Sequence, residues 1–111
     1  MLKVILFKML GCKACSETEK FWDELKQDYP KVTFEERLLG SDTIEEYNSY
    51  IPKEIVREKV MIDGNEREVV SKRSPITAPN FVFTKDGEGF LGNIVGSNEQ
   101  SVRYVLENLT K

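Results

Sequence analysis

Histidine is absent from this 111-residue chain, and cysteine occurs only twice. The first absence excludes imidazole as a general base, as a metal ligand and as the partner of a nucleophilic serine or cysteine. Catalysis, if present, must rest on cysteine, carboxylates, lysine or backbone groups. Long apolar runs are also missing, and no stretch approaches the roughly 20 apolar residues of a membrane span. The opening MLKVILFKML is apolar, but Lys8 interrupts it after Val4-Ile5-Leu6-Phe7. That is short of the seven or so residues a signal-peptide core needs. A soluble, cytoplasmic protein is the expectation. Nor does one sign of charge dominate, since 16 Lys and Arg face 19 Asp and Glu for a net charge of −3. Such a balance leaves no electrostatic footprint for nucleic acid or an anionic membrane. The length suits a single domain spanning residues 1–111, and a monomer is expected.

What is there reads as alternating strands and helices. Residues 2–10 form a compact apolar run, expected as a buried central strand that Gly11 ends. From Cys15 the less polar positions fall at Thr18, Trp22, Leu25 and Tyr29, with Phe21 widening the stripe. These steps of three and four predict an amphipathic helix of about 14 residues, stopped by Pro30. Residues 32–39 read as a second strand, so the opening is a βαβ unit with a parallel pair. Ser41-Asp42-Thr43 looks like a helix N-cap, with Ile44, Tyr47 and Ile51 on one face and Pro52 at its end. Residues 59–70 carry two β-prone arms around Asp63-Gly64, a dipeptide suited to a tight hairpin turn. Residues 80–84 and 90–95 are expected as adjacent antiparallel strands. A last helix follows, with Val102, Val105, Leu106 and Leu109 on its apolar face. The predicted order is β-α-β-α-hairpin-β-β-α, an α/β fold whose four-stranded mixed sheet is flanked by helices.

The two cysteines, Cys12-Lys13-Ala14-Cys15, stand where the first strand hands over to the first helix. Unpaired amides at a helix N-terminus stabilise a thiolate there. Two intervening residues in a helical turn put the sulfurs within disulfide reach. Cys12 would lie at the exposed tip and Cys15 under cover, dividing attack from resolution, and Lys13 adds a favourable positive charge. Other readings remain open at this point. A zinc half-site would need further Cys, His or carboxylate ligands, and the chain has no other Cys and no His. A cluster shared between two copies, or an inert structural pair, would also use two cysteines.

With VILF…GCKACSETEKFW at the front, TAPNFVF after the hairpin and FLGNIVG…VRYVLENL at the end, the sequence resembles the thioredoxin/glutaredoxin superfamily. The resemblance covers nearly the whole chain apart from residues 55–73 or so, which look like an insertion. It implies the thioredoxin fold and a thiol–disulfide oxidoreductase in which Cys12 attacks and Cys15 resolves. It also implies a cis peptide at Ala78–Pro79, with the Ala78 backbone offered to an extended substrate. Lys13 would line that substrate site. Gly96 and Ser97 partly match the segment that holds glutathione in one branch, although a strand end leading to a helix cap explains them as well. Lys8 lies one position from where that branch balances a glutathione carboxylate. No resident cofactor or metal is implied, with glutathione as a possible co-substrate. The implied partners are protein disulfides or glutathione, and a reductase as electron donor. The chain departs from both branches. It has neither tryptophan before Cys12 with glycine-proline after it, nor proline-tyrosine between the cysteines, nor an acid in the first strand.

Overall fold

The computed structural model describes residues 1–51, 54–73 and 76–110, with residues 54–56 and 71–73 described by backbone alone. Nine elements follow in order: β1 (Leu2–Lys8), α1 (Lys13–Asp28), β2 (Thr33–Leu38), α2 (Ile44–Tyr50), β3 (Glu54–Ile62), β4 (Asn65–Arg73), β5 (Asn80–Lys85), β6 (Gly89–Val95) and α3 (Glu99–Leu109). The main sheet runs β2-β1-β5-β6. Strand β1 is parallel to β2 and antiparallel to β5, and β5 is antiparallel to β6. This is the expected four-stranded mixed sheet.

The unbroken apolar stretch of β1 has a physical reason, because helices cover both faces of the sheet. Side chains alternate across a strand, so Leu2, Val4 and Leu6 face one way and Ile5 and Phe7 the other. The first set packs with Phe21, Trp22 and Leu25 of α1, Val102 and Leu106 of α3, and Phe81 and Phe83 of β5. The second set meets Tyr47 and Ile51 at α2, with Val82 of β5. Each large apolar side chain removed from water in this way contributes roughly 1.5–3 kcal/mol. Trp22 is core, with Phe34 edge-on at 5.3 Å and Phe81 at 6.0 Å.

Several boundaries differ from those the sequence predicts. β1 stops at Lys8, and Met9 and Leu10 are exposed because the chain turns at Gly11, whose φ of +72° favours glycine. α1 begins at Lys13, ahead of its apolar stripe, because the Cys12 sulfur supplies the N-cap. α2 begins after Thr43, but no side chain caps it. The Thr43 hydroxyl instead donates to the Leu38 carbonyl (2.7 Å) and accepts from the Gly40 amide (3.0 Å), bracing the preceding loop. Arg37 of β2 anchors α2 through Glu46 at 3.0 Å. Pro52 lies outside the described residues. The hairpin is longer than predicted: β3 and β4 pair from Glu54↔Arg73 to Ile62↔Asn65 as a separate two-stranded sheet. Its turn has positive φ at both Asp63 (51°) and Gly64 (79°), the geometry that makes Asp-Gly favourable. Among the described residues, no helix is long and apolar enough to cross a membrane.

Candidate active site

Sheet register gathers three loops at one end of the sheet. The end of β1 pairs with the start of β5 through Phe7↔Asn80, and the end of β6 pairs with that same residue through Asn80↔Val95. The cysteine loop after β1, the proline loop before β5 and the Gly96 loop after β6 therefore converge. A 2.8 Å hydrogen bond from the Gly96 amide to the Pro79 carbonyl closes the last two together.

Cys12 and Cys15 are joined as a disulfide, with Cα atoms 5.2 Å apart. Cys12 is partly exposed, whereas Cys15 is 5% exposed beneath it. The Cys15 backbone amide donates to the Cys12 sulfur at 3.1 Å. A helix N-terminal amide so placed stabilises negative charge on that sulfur once the disulfide opens. From the other side the Ala78 carbonyl oxygen stands 3.6 Å from the same sulfur, ready to accept its proton in the thiol form. The Ala78–Pro79 peptide is cis. Lys13 is exposed at the helix tip. A groove of about 450 Å³ opens beside the disulfide, lined by Met9, Leu10, Gly11, Cys12, Lys13 and Leu38 among others.

Gly96 and Ser97 join this constellation, but the neighbouring polar groups already serve the fold. Asn98 caps α3 through its side-chain oxygen, which accepts from the Ser101 amide at 3.1 Å, and Glu99 pairs with Arg103 at 2.7 Å. Lys8 pairs with Glu36 at 3.0 Å. These are the structural roles that a strand end and a helix cap require. Among the described residues, no group of three or more His, Cys, Asp or Glu stands close enough to hold a metal ion.

Two polar features escape a reading by hydrophobic pattern. Thr18, fully buried in the α1 stripe, bridges the Ala14 carbonyl and the Ser97 hydroxyl at 3.2 Å each. Its only signal in the sequence is a hydroxyl on an otherwise apolar face. Tyr47 and Asn80, also fully buried, form a network with Thr77, the residue before Ala78. Asn80 is a polar residue opening an apolar strand, which is the trace it leaves in the sequence.

No family model matches the chain, and no curated protein matches it. Solved structures do. It is similar to a thioredoxin from Trypanosoma brucei brucei at 17% identity and a TM-score of 0.67, covering 99% of this chain and 75% of that one. Oxidised mitochondrial thioredoxin 3 from Saccharomyces cerevisiae is 21% identical with a TM-score of 0.63, over 96% of this chain and 77% of the other. Oxidised thioredoxin from Plasmodium falciparum is 17% identical with a TM-score of 0.66, over 99% and 82%. By strand order and by this likeness, the chain has the thioredoxin fold.

Proposed function

We propose that the protein is a thiol–disulfide oxidoreductase that reduces protein disulfides through Cys12 and Cys15. The observation that carries this reading is the Cys12 sulfur at a helix N-terminus, bonded to the Cys15 amide, half-open to solvent and backed by a covered second cysteine. In the reduced protein the Cys12 thiolate attacks one sulfur of a substrate disulfide. A mixed disulfide forms and the other substrate sulfur leaves as a thiolate that takes up a proton. Cys15, as thiolate, then attacks the Cys12 sulfur, the second substrate thiolate leaves, and the Cys12–Cys15 disulfide remains. Two electrons have passed to the substrate, and a reductase or glutathione returns them.

Around this centre the Ala78 backbone beside Pro79 pairs with an extended substrate segment, as in β-strand addition. Lys13 at the tip favours the attacking thiolate and meets the approaching chain, while Gly96 and Ser97 close the far side. Asn98 and Glu99 are engaged in the α3 cap and with Arg103, which favours protein disulfides over glutathione as substrate. The cytoplasm suits a dithiol centre kept reduced.

Insulin reduction by the wild type, Cys12→Ser and Cys15→Ser proteins tests the reading. Cys12→Ser should abolish turnover, and Cys15→Ser should accumulate mixed disulfides that mass spectrometry detects. Reduction by Cys12→Ser at the wild-type rate would refute it. Retained deglutathionylation by Cys15→Ser would instead assign the protein to a glutathione-dependent, single-thiol route.

A further inference from the structure

The Tyr47 hydroxyl gathers several groups at the proline loop. It accepts from the Thr77 backbone amide at 3.2 Å and lies 3.4 Å from the Thr77 hydroxyl. The Asn80 side-chain amide reaches both, at 3.5 Å from Tyr47 and 3.4 Å from Thr77. Asn93 of β6 completes the chain by donating to the Asn80 side-chain oxygen at 3.1 Å. Tyr47 itself is wholly buried, with its ring edge-on to Phe7 at 5.3 Å. Helix α2 therefore holds, through one oxygen, the residue that immediately precedes Ala78.

We propose that Tyr47 is a positioning residue for Cys12: its hydroxyl fixes the Thr77–Ala78 backbone, and so sets the distance between the Ala78 carbonyl and the Cys12 sulfur. The role rests on Cys12 being the attacking thiol. The carbonyl and the Cys15 amide act on that sulfur in opposite senses. A carbonyl oxygen accepts from the thiol and repels the thiolate, whereas the amide donates to the thiolate. A carbonyl held this close to the sulfur, 3.6 Å away in the disulfide form, favours the thiol over the thiolate once the disulfide opens. Releasing the loop lets the oxygen retreat and shifts the balance towards thiolate.

Among the described residues, the charged groups lining the groove at Cys12 are Lys8 at the end of β1 and Lys13 and Glu19 of α1, with the Cys15 thiol beneath. The described parts of the proline loop and the Gly96–Ser97 turn contribute none. Lys8, Lys13 and Glu19 form no part of the hydrogen-bonded chain from Tyr47 through Thr77 and Asn80 to Asn93.

The test is the pH profile of Cys12 alkylation by iodoacetamide in the reduced full-length protein, with near-UV circular dichroism to check folding. Tyr47→Phe keeps the ring and removes the oxygen. Its alkylation midpoint should fall by about half a pH unit, the scale of one weakened hydrogen bond. Asn93→Ala, altered at an exposed position of the same network, should move the midpoint the same way by less. Tyr29→Phe makes the same chemical change outside the network and should leave it at the wild-type value. A midpoint that is unchanged or raised in folded Tyr47→Phe overturns the proposal. Should that variant fail to fold, Asn93→Ala decides by the same criterion. Alkylation requires no turnover, so the two readings fail separately. A wild type that reduces no disulfide but shows the shift loses the enzymatic function and keeps the positioning role. An active wild type without the shift does the reverse.

Discussion

The Cys12 sulfur answers to groups from two directions, and Lys13 adds a third influence from solvent. An exposed ammonium beside a thiolate is worth little in high dielectric, so its effect should be modest and sensitive to salt. Lys13→Glu replaces attraction by repulsion, and alkylation of Cys12 at pH 7 and low ionic strength should slow roughly two- to five-fold. An unchanged rate in dilute buffer would remove Lys13 from the account. Away from the site, Glu35 of β2 pairs with Lys3 of β1 at 2.9 Å and also with Arg37 at 3.4 Å. The Lys3 hydrogen bond, with help from both cations, holds the Glu35 carboxyl below its ordinary value of 4.5. Because the folded value is the lower one, this pairing stabilises the fold above about pH 4.5 and is lost as acid titrates the carboxylate in the native state. Glu35→Gln should therefore lower Tm at pH 7 and narrow the gap between Tm at pH 7 and at pH 3. A gap as wide as that of the wild type would show the acid sensitivity to lie elsewhere. Such a pair is invisible in the sequence, since Lys3 and Glu35 meet only after the parallel register is set.

At the scale of elements, legibility followed how much of the signal was local. The apolar run of β1, the stripe of α1 and the Asp63-Gly64 turn each announce themselves within a few residues, and each element formed. The cysteine pair and the proline were legible for the same reason, by motif and neighbourhood. The ends of elements were harder, because tertiary partners decide them. The Cys12 sulfur extends α1 backwards, and the Thr43 hydroxyl, expected at a cap, is drawn into the loop by Leu38 and Gly40. The Tyr47–Thr77–Asn80 network could not be read at all, since its members come together only when α2 lies over β5. The hairpin ladder outran its prediction because its outer residues alternate weakly and the pairing is carried by backbone. As β3 and β4 share no strand with the main sheet, their stability should be separable from the core. Gly64→Ala places a Cβ at φ +79° and should weaken the hairpin by about 1–2 kcal/mol. Amide exchange should then speed up in β3 and β4 while β1 and β5 keep wild-type protection. Loss of protection in both sheets together would show that they unfold as one unit.

Across the whole molecule, the helix that carries the cysteines is tied to its neighbour by an attachment at its far end. Helices α1 and α3 cover the same face of the sheet, and Arg103 of α3 ties them together. Its guanidinium pairs with Asp28 at 2.7 Å, Glu24 at 3.7 Å and Glu99 of its own helix at 2.7 Å. Hydrogen bonds to Asp28 and then Glu99 raise its already high pKa further, so the group stays charged at any working pH. The side chain is only 29% exposed, and several carboxylates share one fork, which makes the cluster stronger than an isolated surface pair. Removing the cation leaves three carboxylates close together without their common partner, so like-charge repulsion adds to the loss. Arg103→Ala should cost on the order of 1–2 kcal/mol, read as a lower Tm that high salt partly restores by screening the freed carboxylates. Arg103→Lys, with one point charge in place of a planar fork, should recover part of the loss. Asp28 closes α1 and Cys12 caps its start, so the cluster and the disulfide stand at opposite ends of a 16-residue helix. That separation fixes the discriminating outcome. Below its melting transition, Arg103→Ala should reduce insulin with wild-type kcat, because docking α1 needs the cluster and the chemistry does not. A fall in kcat at a temperature where the variant is fully folded would mean that the tilt of α1 reaches the Cys12 sulfur.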